Sequence, residues 1–419
     1  MDVAIPRQRQ RVTSPSATTH TYTERTYHYG GRRADGDHRQ TCGGSCVGAV
    51  FGVLLCLGGS VLLWYNEGVA VRTARSLDEA MKHLSSAGAA DAAEGALVHA
   101  SGRVTAQVLR DDQFGLAPLE AVSLERVVEV RQWKESSRKH TRTVGPDNLK
   151  ETTTTYTYEQ VWSTSGISSS RFHKLGHENP HFDDALAAAT SAAGYEVRAA
   201  RWTSDNVRVD GILLHQALRS QLSRSQLARP PAGGAHGMRA VGDHLYSPGC
   251  APPSAVGCAR LSWKHVPPPP RASVVGARRG DGIAAWPSSQ PGYEVALLAY
   301  GARGAVEMLS DAQSENTMLT WLKRGGGWLL LVVGWSLILG PAKLLASYIP
   351  LLGRLVGCAL AVVGLSVASG QALVIVAVAW IYYRPLLAAV LLALGVVCAG
   401  AGLFGVARPR ENAPNLKAP

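Results

Sequence analysis

Four stretches of the sequence are almost free of charged side chains and are long enough to cross the hydrocarbon core of a bilayer. They are residues 41–65, 325–346, 355–380 and 385–407, and only the second contains a charge, at Lys343. A membrane-spanning helix needs about 20 such residues, and the long stem of a lysine can carry its charge to the interface. Charged residues make up 17% of the chain, below the roughly 25% of soluble domains. The sequence therefore predicts a multi-pass α-helical membrane protein with four spans.

The sequence outside these stretches predicts one disordered tail and one large domain. Residues 1–40 are polar, rich in Ser, Thr and Arg, and show no apolar periodicity, which is typical of disorder. Residues 66–324 contain segments of alternating polarity and segments of helical periodicity. They predict a large α+β domain between the first two spans. In it we expect strands at 122–133 and 152–162, joined by a charged hairpin loop at 134–150.

The spans also predict how the chain is oriented. The first span begins far from Met1 and is followed by no small-residue cleavage site, so we expect a signal anchor. An even number of spans places residues 1–40 and a short tail at 408–419 on the same side of the membrane. Basic residues beside the outer ends of the first and last spans favour a cytoplasmic or nucleoplasmic side for both tails. The large domain would then be luminal.

The distribution of charge along the sequence indicates which kinds of partner the protein can bind. The formal net charge of +11 is spread over the two tails and the large domain. No single region is basic enough to indicate a surface that binds nucleic acid. Basic residues beside the spans suit anionic lipid headgroups instead. The sequence thus predicts membrane lipids as partners and no nucleic acid.

Three histidines form the strongest candidate for a metal site. His173, His177 and His181 recur every four residues and would share one face of a helix. A glycine and an Asn-Pro pair lie between them and interrupt any helix there, so we favour three exposed loop histidines. No nucleophile elbow, phosphate-binding loop, zinc-protease motif or dinucleotide fingerprint is present. We therefore predict no catalytic, cofactor-binding or metal-binding residues.

Two cysteines of the large domain lie close together in the sequence. Cys250 and Cys258 flank a short loop that contains two prolines. An oxidising lumen would allow a local disulfide between them. Two buried thiols are the alternative, and the sequence leaves both open.

Glycines in the first span predict a close helix contact. Gly44, Gly48 and Gly52 recur every four residues and would lie near one helix face, where another backbone can approach. The approaching helix belongs either to a second copy, which would make a homo-oligomer, or to the same chain. The sequence leaves both open.

Several short pieces of the sequence, in this order, resemble the LUMA or transmembrane protein 43 family from Gly43 onward. They are Asn66-Glu67-Gly68 with the following RTARSLDEA, GALVHASG at residues 95–102, VEVRQW at residues 128–133, Gly176-His177-Glu178-Asn179-Pro180 and Tyr383-Arg384-Pro385. The resemblance implies a location in the endoplasmic reticulum and inner nuclear membrane, with the large domain in the lumen. It also implies emerin and lamins as partners in animals, and no established catalytic activity.

Two functions from different classes are compatible with this sequence. The first is a non-enzymatic membrane scaffold that organises protein complexes at the endoplasmic reticulum and inner nuclear membrane and contributes to nuclear envelope structure. The alternative is a membrane-bound enzyme of lipid or envelope metabolism with a luminal active site. A deep pocket with convergent ionisable groups would favour the enzyme.

Overall fold

The computed structural model describes residues 9–13, 19–29, 42–86, 88–89, 91–144, 149–190, 197–250, 255–346, 352–383, 385–386 and 389. The helices in this part of the chain are α1 (Cys42–His83), α2 (Phe182–Thr190), α3 (Gln216–Arg219), α4 (Ala305–Ile338), α5 (Gly340–Ala346) and α6 (Leu352–Tyr383). Two of the described helices are long and apolar enough to cross a membrane, α1 over Val47–His83 and α6 over Gly357–Tyr383.

Most of the region between α1 and α4 is extended. The strands, in chain order, are β1 (Arg9–Thr13), β2 (Thr19–Tyr29), β3 (Leu97–Gly102), β4 (Val104–Thr105), β5 (Val108–Leu109), β6 (Leu119–Glu120), β7 (Ser123–Val144), β8 (Leu149–Ser163), β9 (Ala200–Thr203), β10 (Arg208–Val209), β11 (Ile212–Leu214), β12 (Gln226–Ala228), β13 (Arg239–Val241), β14 (His244–Tyr246), β15 (Ala259–Val266), β16 (Ala272–Arg279), β17 (Gly282–Ala284), β18 (Trp286–Pro287), β19 (Glu294–Val295) and β20 (Leu297–Tyr300). We call the folded region between α1 and α4 the body.

Nine of the described strands form the large sheet, in the order β1-β2-β8-β7-β15-β14-β13, with β9 also paired to β7 and β12 to β15. Its centre is the long hairpin of β7 and β8, which is antiparallel from the Val130–Ser163 pair to the Val144–Leu149 pair. β8 is rich in threonine and tyrosine, which favour the extended backbone. The hairpin loop that the sequence predicts at 134–150 is instead mostly strand, because β7 continues through Val144.

Seven described strands form the small sheet, in the order β20-β16-β17-β11-β10-β4, with β3 paired to β16. One face of this sheet packs on the halves of α1 and α4 that are nearest the body. Leu77 of α1 and Leu309 of α4 are buried there in one cluster with Val275 of β16. Both helices therefore run without a break from their apolar halves into the core of the body.

The predicted four-span helical fold is wrong. The described part of the chain has two candidate membrane helices, and strands account for 32% of the structure. The predicted second span, 325–346, is divided between α4 and α5, since α4 ends at Ile338 and α5 begins at Gly340, with Pro341 in its first turn. Only 325–338 remains as an uninterrupted apolar helix, which is shorter than a bilayer requires. The predicted fourth span, 385–407, lies outside the described residues except for 385–386 and 389.

The predicted disordered tail, residues 1–40, contains two strands. β2 pairs with β8 along its whole length, from Thr19 opposite Glu159 to Tyr29 opposite Leu149, and β1 pairs with β2. The alternation of threonine with tyrosine and histidine in β2 is itself a strand pattern, which the polar composition obscured. This pairing places residues 19–29 beside the body, whereas the predicted topology separates the two by the membrane that α1 would cross.

Candidate functional site at the three-helix junction

Three polar residues join α1, α4 and α6 where the apolar part of α1 ends. Glu67 of α1 is only 1% exposed, and its carboxylate accepts two hydrogen bonds from the guanidinium of Arg324 in α4, at 2.6 and 2.7 Å. The indole N–H of Trp380 in α6 donates a third hydrogen bond to the same carboxylate, at 2.7 Å. We call Glu67, Arg324 and Trp380 the polar junction. A buried carboxylate needs such partners, and a two-fold arginine contact is among the strongest available.

Aromatic rings surround the polar junction and indicate its depth in the membrane. The Arg324 guanidinium lies 4.7 Å from the ring centroid of Trp321 and 5.5 Å from that of Trp380, which are cation–π distances. At the same level of the bundle, the surfaces of α1 and α6 present the exposed rings of Tyr65 and Tyr382. Amphipathic aromatic rings collect where the hydrocarbon core meets the headgroups. Rings in this arrangement are typical of the level at which a helix leaves the hydrocarbon core.

Each residue of the Asn66-Glu67-Gly68 motif has a separate contact at this level. The Asn66 side-chain amide donates a hydrogen bond to the backbone oxygen of Thr320 in α4, at 3.2 Å. Gly68 faces α6, and a Cβ atom there would lie 2.7 Å from the hydroxyl oxygen of Tyr383. The motif thus fixes α1 against α4 through Asn66, against both helices through Glu67, and against α6 through Gly68.

A second set of hydrogen bonds joins the same helices deeper in their apolar halves. The indole N–H of Trp335 in α4 donates to the side-chain oxygen of Gln371 in α6, at 2.7 Å. The amide nitrogen of Gln371 donates in turn to the hydroxyl of Ser60 in α1, at 3.0 Å. In lipid these groups have no water to bind, so each finds its partner on another helix. The two sets together fix the register of α1, α4 and α6.

The polar junction has the chemistry of an ion pair whose hydrogen bonds are satisfied. The two Glu67 oxygens receive all three of their hydrogen bonds from groups that cannot act as nucleophiles, and the Arg324 charge is neutralised. In the described part of the chain, no group of three or more His, Cys, Asp or Glu side chains is placed to hold a metal ion. The arrangement can hold α1, α4 and α6 together at the boundary of the body, because α1 and α4 are continuous through it.

A histidine pair on the body forms a second cluster of interest. Nδ1 of His20 in β2 lies 2.9 Å from Nε2 of His177, whose side chain is almost completely buried. The His177 ring stacks on Tyr158 at 4.0 Å and meets the edge of Trp133 at 4.8 Å. We call His20 and His177, with these two aromatic rings, the histidine clasp. Burial, and then the neighbouring His20, lower the pKa of His177.

Asn179 explains why the loop that carries His177 holds its shape. Its side-chain oxygen accepts a hydrogen bond from the backbone N–H of Trp133, at 2.6 Å. Its side-chain nitrogen donates to the backbone oxygens of Trp133 and Ile167. The loop is therefore anchored to β7 by an asparagine that imitates a strand partner. This gives the Gly176-His177-Glu178-Asn179-Pro180 motif a structural role.

The three spaced histidines do not converge on one point. His177 belongs to the histidine clasp, and His173 stacks on Tyr156 and contacts Glu24 at 2.9 Å. His181 is exposed, with Asp183 4.0 Å away. The loop histidines were expected to be exposed, and the buried His177 departs from that expectation.

In the structure the two candidate cysteines are bonded to each other, whereas the candidate glycines of α1 have different surroundings. Cys250 and Cys258 form a disulfide, with Cα atoms 5.8 Å apart. A Cβ atom at Gly52 would lie 2.6 Å from the backbone oxygen of Gly334 in α4, whereas a Cβ atom at Gly48 meets nothing within 4 Å. Gly44 lies in α1, but its surroundings are outside the described side chains. Gly52 therefore serves packing within the chain, and Gly48 faces open space.

Sequence reasoning missed most of the residues that form these two clusters. The sequence presented Glu67 only within a short motif and gave Arg324 no role, although one acid and one base at the same level of two helices predict an ion pair. Trp380 and Gln371 had no distinguishing signal, because a single polar side chain in an apolar helix can face any neighbour. His20 lay in a segment assigned to disorder.

The fold and the junction together define a class of protein: a membrane protein whose apolar helices run directly into a body built mainly on the large and the small sheet. Comparison with known families makes this specific. The model of the family described as transmembrane protein 43 matches residues 130–385. The chain therefore belongs to the transmembrane protein 43 family.

Curated relatives extend the match over most of the chain. Transmembrane protein 43 of Rattus norvegicus is 30% identical over 379 residues, which cover 85% of this chain and 89% of that protein. The protein of the same name from Homo sapiens is 29% identical over 374 residues, with the same coverage. The homolog from Drosophila melanogaster is 30% identical over 365 residues, which cover 83% of this chain and 92% of the homolog. No solved structure matches the chain.

Proposed function

We propose that this chain is a non-enzymatic membrane scaffold that organises protein complexes at the endoplasmic reticulum and inner nuclear membrane, and so contributes to nuclear envelope structure. The observation that carries the proposal is the polar junction. It joins three helices through side chains that hydrogen-bond to each other. The contact lies where two of those helices enter the body. A scaffold requires such a fixed relation between its membrane anchor and its partner-binding surface.

Membership of the transmembrane protein 43 family supports a membrane location. The exposed aromatic rings beside the junction favour contact with lipid headgroups, so membrane lipids are the first class of partner. Membrane proteins of the nuclear envelope are the second, with emerin-like and lamin-like proteins as candidates in a host that has them. The body offers strands and loops for these contacts, above all the long hairpin of β7 and β8.

Proximity labelling in cells tests the proposal. A biotin ligase is inserted in the full chain after Gly233, in the exposed turn between β12 and β13. A matched control carries the same ligase on an unrelated anchor of the endoplasmic reticulum. Enrichment of nuclear-envelope proteins over the control supports the scaffold. Labelling identical to the control, together with an altered lipid composition in cells that lack the chain, contradicts it and favours the enzyme.

A further inference from the structure

Tyr383, the last residue of α6, lies against one face of α1. Its ring centroid is 6.4 Å from that of Trp64, and a Cβ atom at Gly68 would lie 2.7 Å from its hydroxyl oxygen. Residues four positions apart share a helix face, so Arg72 continues this face one turn further along α1. The contact therefore joins the RTARSLDEA motif, which begins at Arg72, to the motif that begins at Tyr383.

Two arginines of α1 converge on Tyr383. Nη2 of Arg72 donates a hydrogen bond to the Tyr383 hydroxyl, at 3.1 Å, and Nη2 of Arg75 donates to the Tyr383 backbone oxygen. The Arg72 guanidinium also lies 5.5 Å from the ring centroid of Tyr383 and 5.9 Å from that of Tyr293 in the body. These partners are neutral. A guanidinium has five N–H donors, so one hydrogen bond from each arginine leaves donors for a further acceptor.

The two arginines have no countercharge in the described part of the chain. No carboxylate there lies within ion-pair distance of either guanidinium, whereas Arg324 pairs with Glu67. The carboxylates that follow on α1, those of Asp78 and Glu79, accept hydrogen bonds from α4 and from the body. The arginines are three residues apart, so their charges are neighbours on the helix surface and repel each other. An anion bound to both would remove that repulsion.

The position of the two arginines along α1 fits the depth of lipid headgroups. The rings around the polar junction are typical of the level at which a helix leaves the hydrocarbon core. Arg72 and Arg75 follow Glu67 by about 7 and 12 Å along the helix axis, and a headgroup layer is roughly 5–8 Å thick. Helical side chains also point back toward the N-terminus of their helix, which for α1 is the apolar end. Both guanidiniums therefore reach toward the headgroup layer.

Capping of α6 explains only part of this arrangement. A helix ends with backbone oxygens that have no partner within the helix, and a basic side chain can bind them. Arg75 does so at the Tyr383 oxygen. Arg72 contacts a hydroxyl and two rings instead, so capping does not require its charge. Arg75 is also exposed, which leaves the pair open to a ligand.

We propose that Arg72 and Arg75 form a binding site for the phosphate group of an anionic phospholipid, between the end of α6 and Tyr293 of the body. Guanidinium groups bind phosphate oxygens through strong, charge-assisted hydrogen bonds. A phosphate held by both arginines would neutralise them at the depth where phospholipids carry this group. The proposal rests on the lipid contact in the proposed function and does not depend on the scaffold role.

Native mass spectrometry of the full-length protein in detergent tests the site. Delipidated protein is titrated with dioleoyl phosphatidic acid or with dioleoylglycerol, which has the same acyl chains and no phosphate. We expect the phosphatidic acid to bind about tenfold more tightly, because its phosphate accepts charge-assisted hydrogen bonds. Equal affinity for the two lipids would overturn the proposal. A third titration adds inorganic phosphate as a competitor, and displacement of the lipid at an equal concentration would identify a site for free phosphate instead.

Substitution of each arginine locates the binding. Arg72→Gln and Arg75→Gln should each weaken the binding of phosphatidic acid about tenfold. Arg224→Gln is the matched control, because Arg224 also packs on a tyrosine ring, that of Tyr300, at 4.1 Å. Tyr300 precedes α4, whose first residue lies roughly 28 Å along the helix from Arg324. The control should therefore keep the affinity of the wild type, whereas unchanged affinity in both Arg72→Gln and Arg75→Gln overturns the site.

Tyr383→Phe separates lipid binding from the packing of α6. It removes the hydroxyl that Arg72 binds and keeps both positive charges, so the affinity for phosphatidic acid should persist. If the arginines serve packing alone, Tyr383→Phe and Arg72→Gln should weaken lipid binding alike. Thermal unfolding of each variant in detergent shows whether a loss of affinity is a loss of fold, and Arg75→Gln decides the question if Arg72→Gln does not fold.

The site and the scaffold can fail separately. Proximity labelling in cells reports the protein neighbours of the body, whereas the titrations report lipid bound to purified protein. A chain that labels nuclear-envelope proteins and binds both lipids equally would keep the scaffold and lose the phosphate site. Phosphate-dependent binding without enrichment of those proteins would keep the site and lose the scaffold.

Discussion

Glu67 and Arg324 lie 257 positions apart in the sequence and are joined by two hydrogen bonds between α1 and α4. Glu67 is 1% exposed and the Arg324 side chain 18% exposed, so neither charge is fully solvated. The Glu67 carboxylate also accepts the hydrogen bond of Trp380, which connects α6 to the pair at the same level. This ion pair, with the tryptophan bound to it, therefore joins three helices at the boundary of the body.

Removal of one partner of this pair should be strongly destabilising. In Arg324→Met the Glu67 carboxylate stays buried without its countercharge, and we expect a loss of about 3–5 kcal/mol of stability. The charge-free double variant Glu67→Met/Arg324→Met should recover most of that loss, because no unpaired charge remains. Unfolding of the purified protein in detergent measures all three free energies.

A matched control is available at the start of α4. Arg303 pairs with Asp311, but their side chains are 45% and 58% exposed. Arg303→Met should therefore cost less than about 1 kcal/mol. If Arg303→Met and Arg324→Met lower the free energy of unfolding equally, burial of the Glu67–Arg324 pair does not make the protein depend more strongly on it.

The helices were the most predictable part of this fold. The third predicted span, 355–380, falls within α6 and nearly coincides with its apolar part, and the first, 41–65, lies almost wholly in α1. Absence of charge is a local property, so it can be seen in the sequence. The second span failed because the break between Ile338 and Gly340 depends on a single proline within an otherwise apolar run.

The strand pairings and the clusters depend on distant residues and could not be predicted in the same way. Residues 134–144 are charged and were assigned to a loop, yet they are strand because β8 offers them a partner along their whole length. β2 was missed for the same reason. Its partner β8 lies on the other side of α1 in the sequence, and predicted spans make such a pairing seem impossible.

The bond between Cys250 and Cys258 should be detectable by chemistry. Alkylation followed by mass spectrometry of protein isolated without reductant should find both thiols protected until reduction. Closing so short a loop should add about 2.5 kcal/mol to the stability of the body on the chain-entropy model. Cys56, which is buried in the helix bundle without a disulfide, is the control for reagent access. Free Cys250 in unreduced material contradicts the prediction.

Gly48 and Gly52 of α1 should respond differently to a large side chain. Gly52→Ile places its Cβ against the Gly334 backbone and should separate α1 from α4, with a large loss of stability or of folded protein. Gly48→Ile enters open space and should leave the unfolding of the single chain unchanged. Any homo-oligomer formed through this face would then lose self-crosslinking in Gly48→Ile while the fold persists. Equal damage from both substitutions would contradict the division of the face.

The pairing of β2 with β8 makes a testable statement about topology. The natural sequence has no Asn-X-Ser/Thr acceptor for N-glycosylation, so one engineered before β2 and another in the 232–237 turn give clean signals. Residues 30–41 include several charged side chains, which cannot return across the hydrocarbon core to bring β2 back to the body. A docked β2 therefore requires the same result at both acceptors, both glycosylated or both unmodified, and an α1 that does not cross the bilayer. Glycosylation of one acceptor and not the other would show that α1 crosses the bilayer between β2 and the body, and that β2 is not docked in that state.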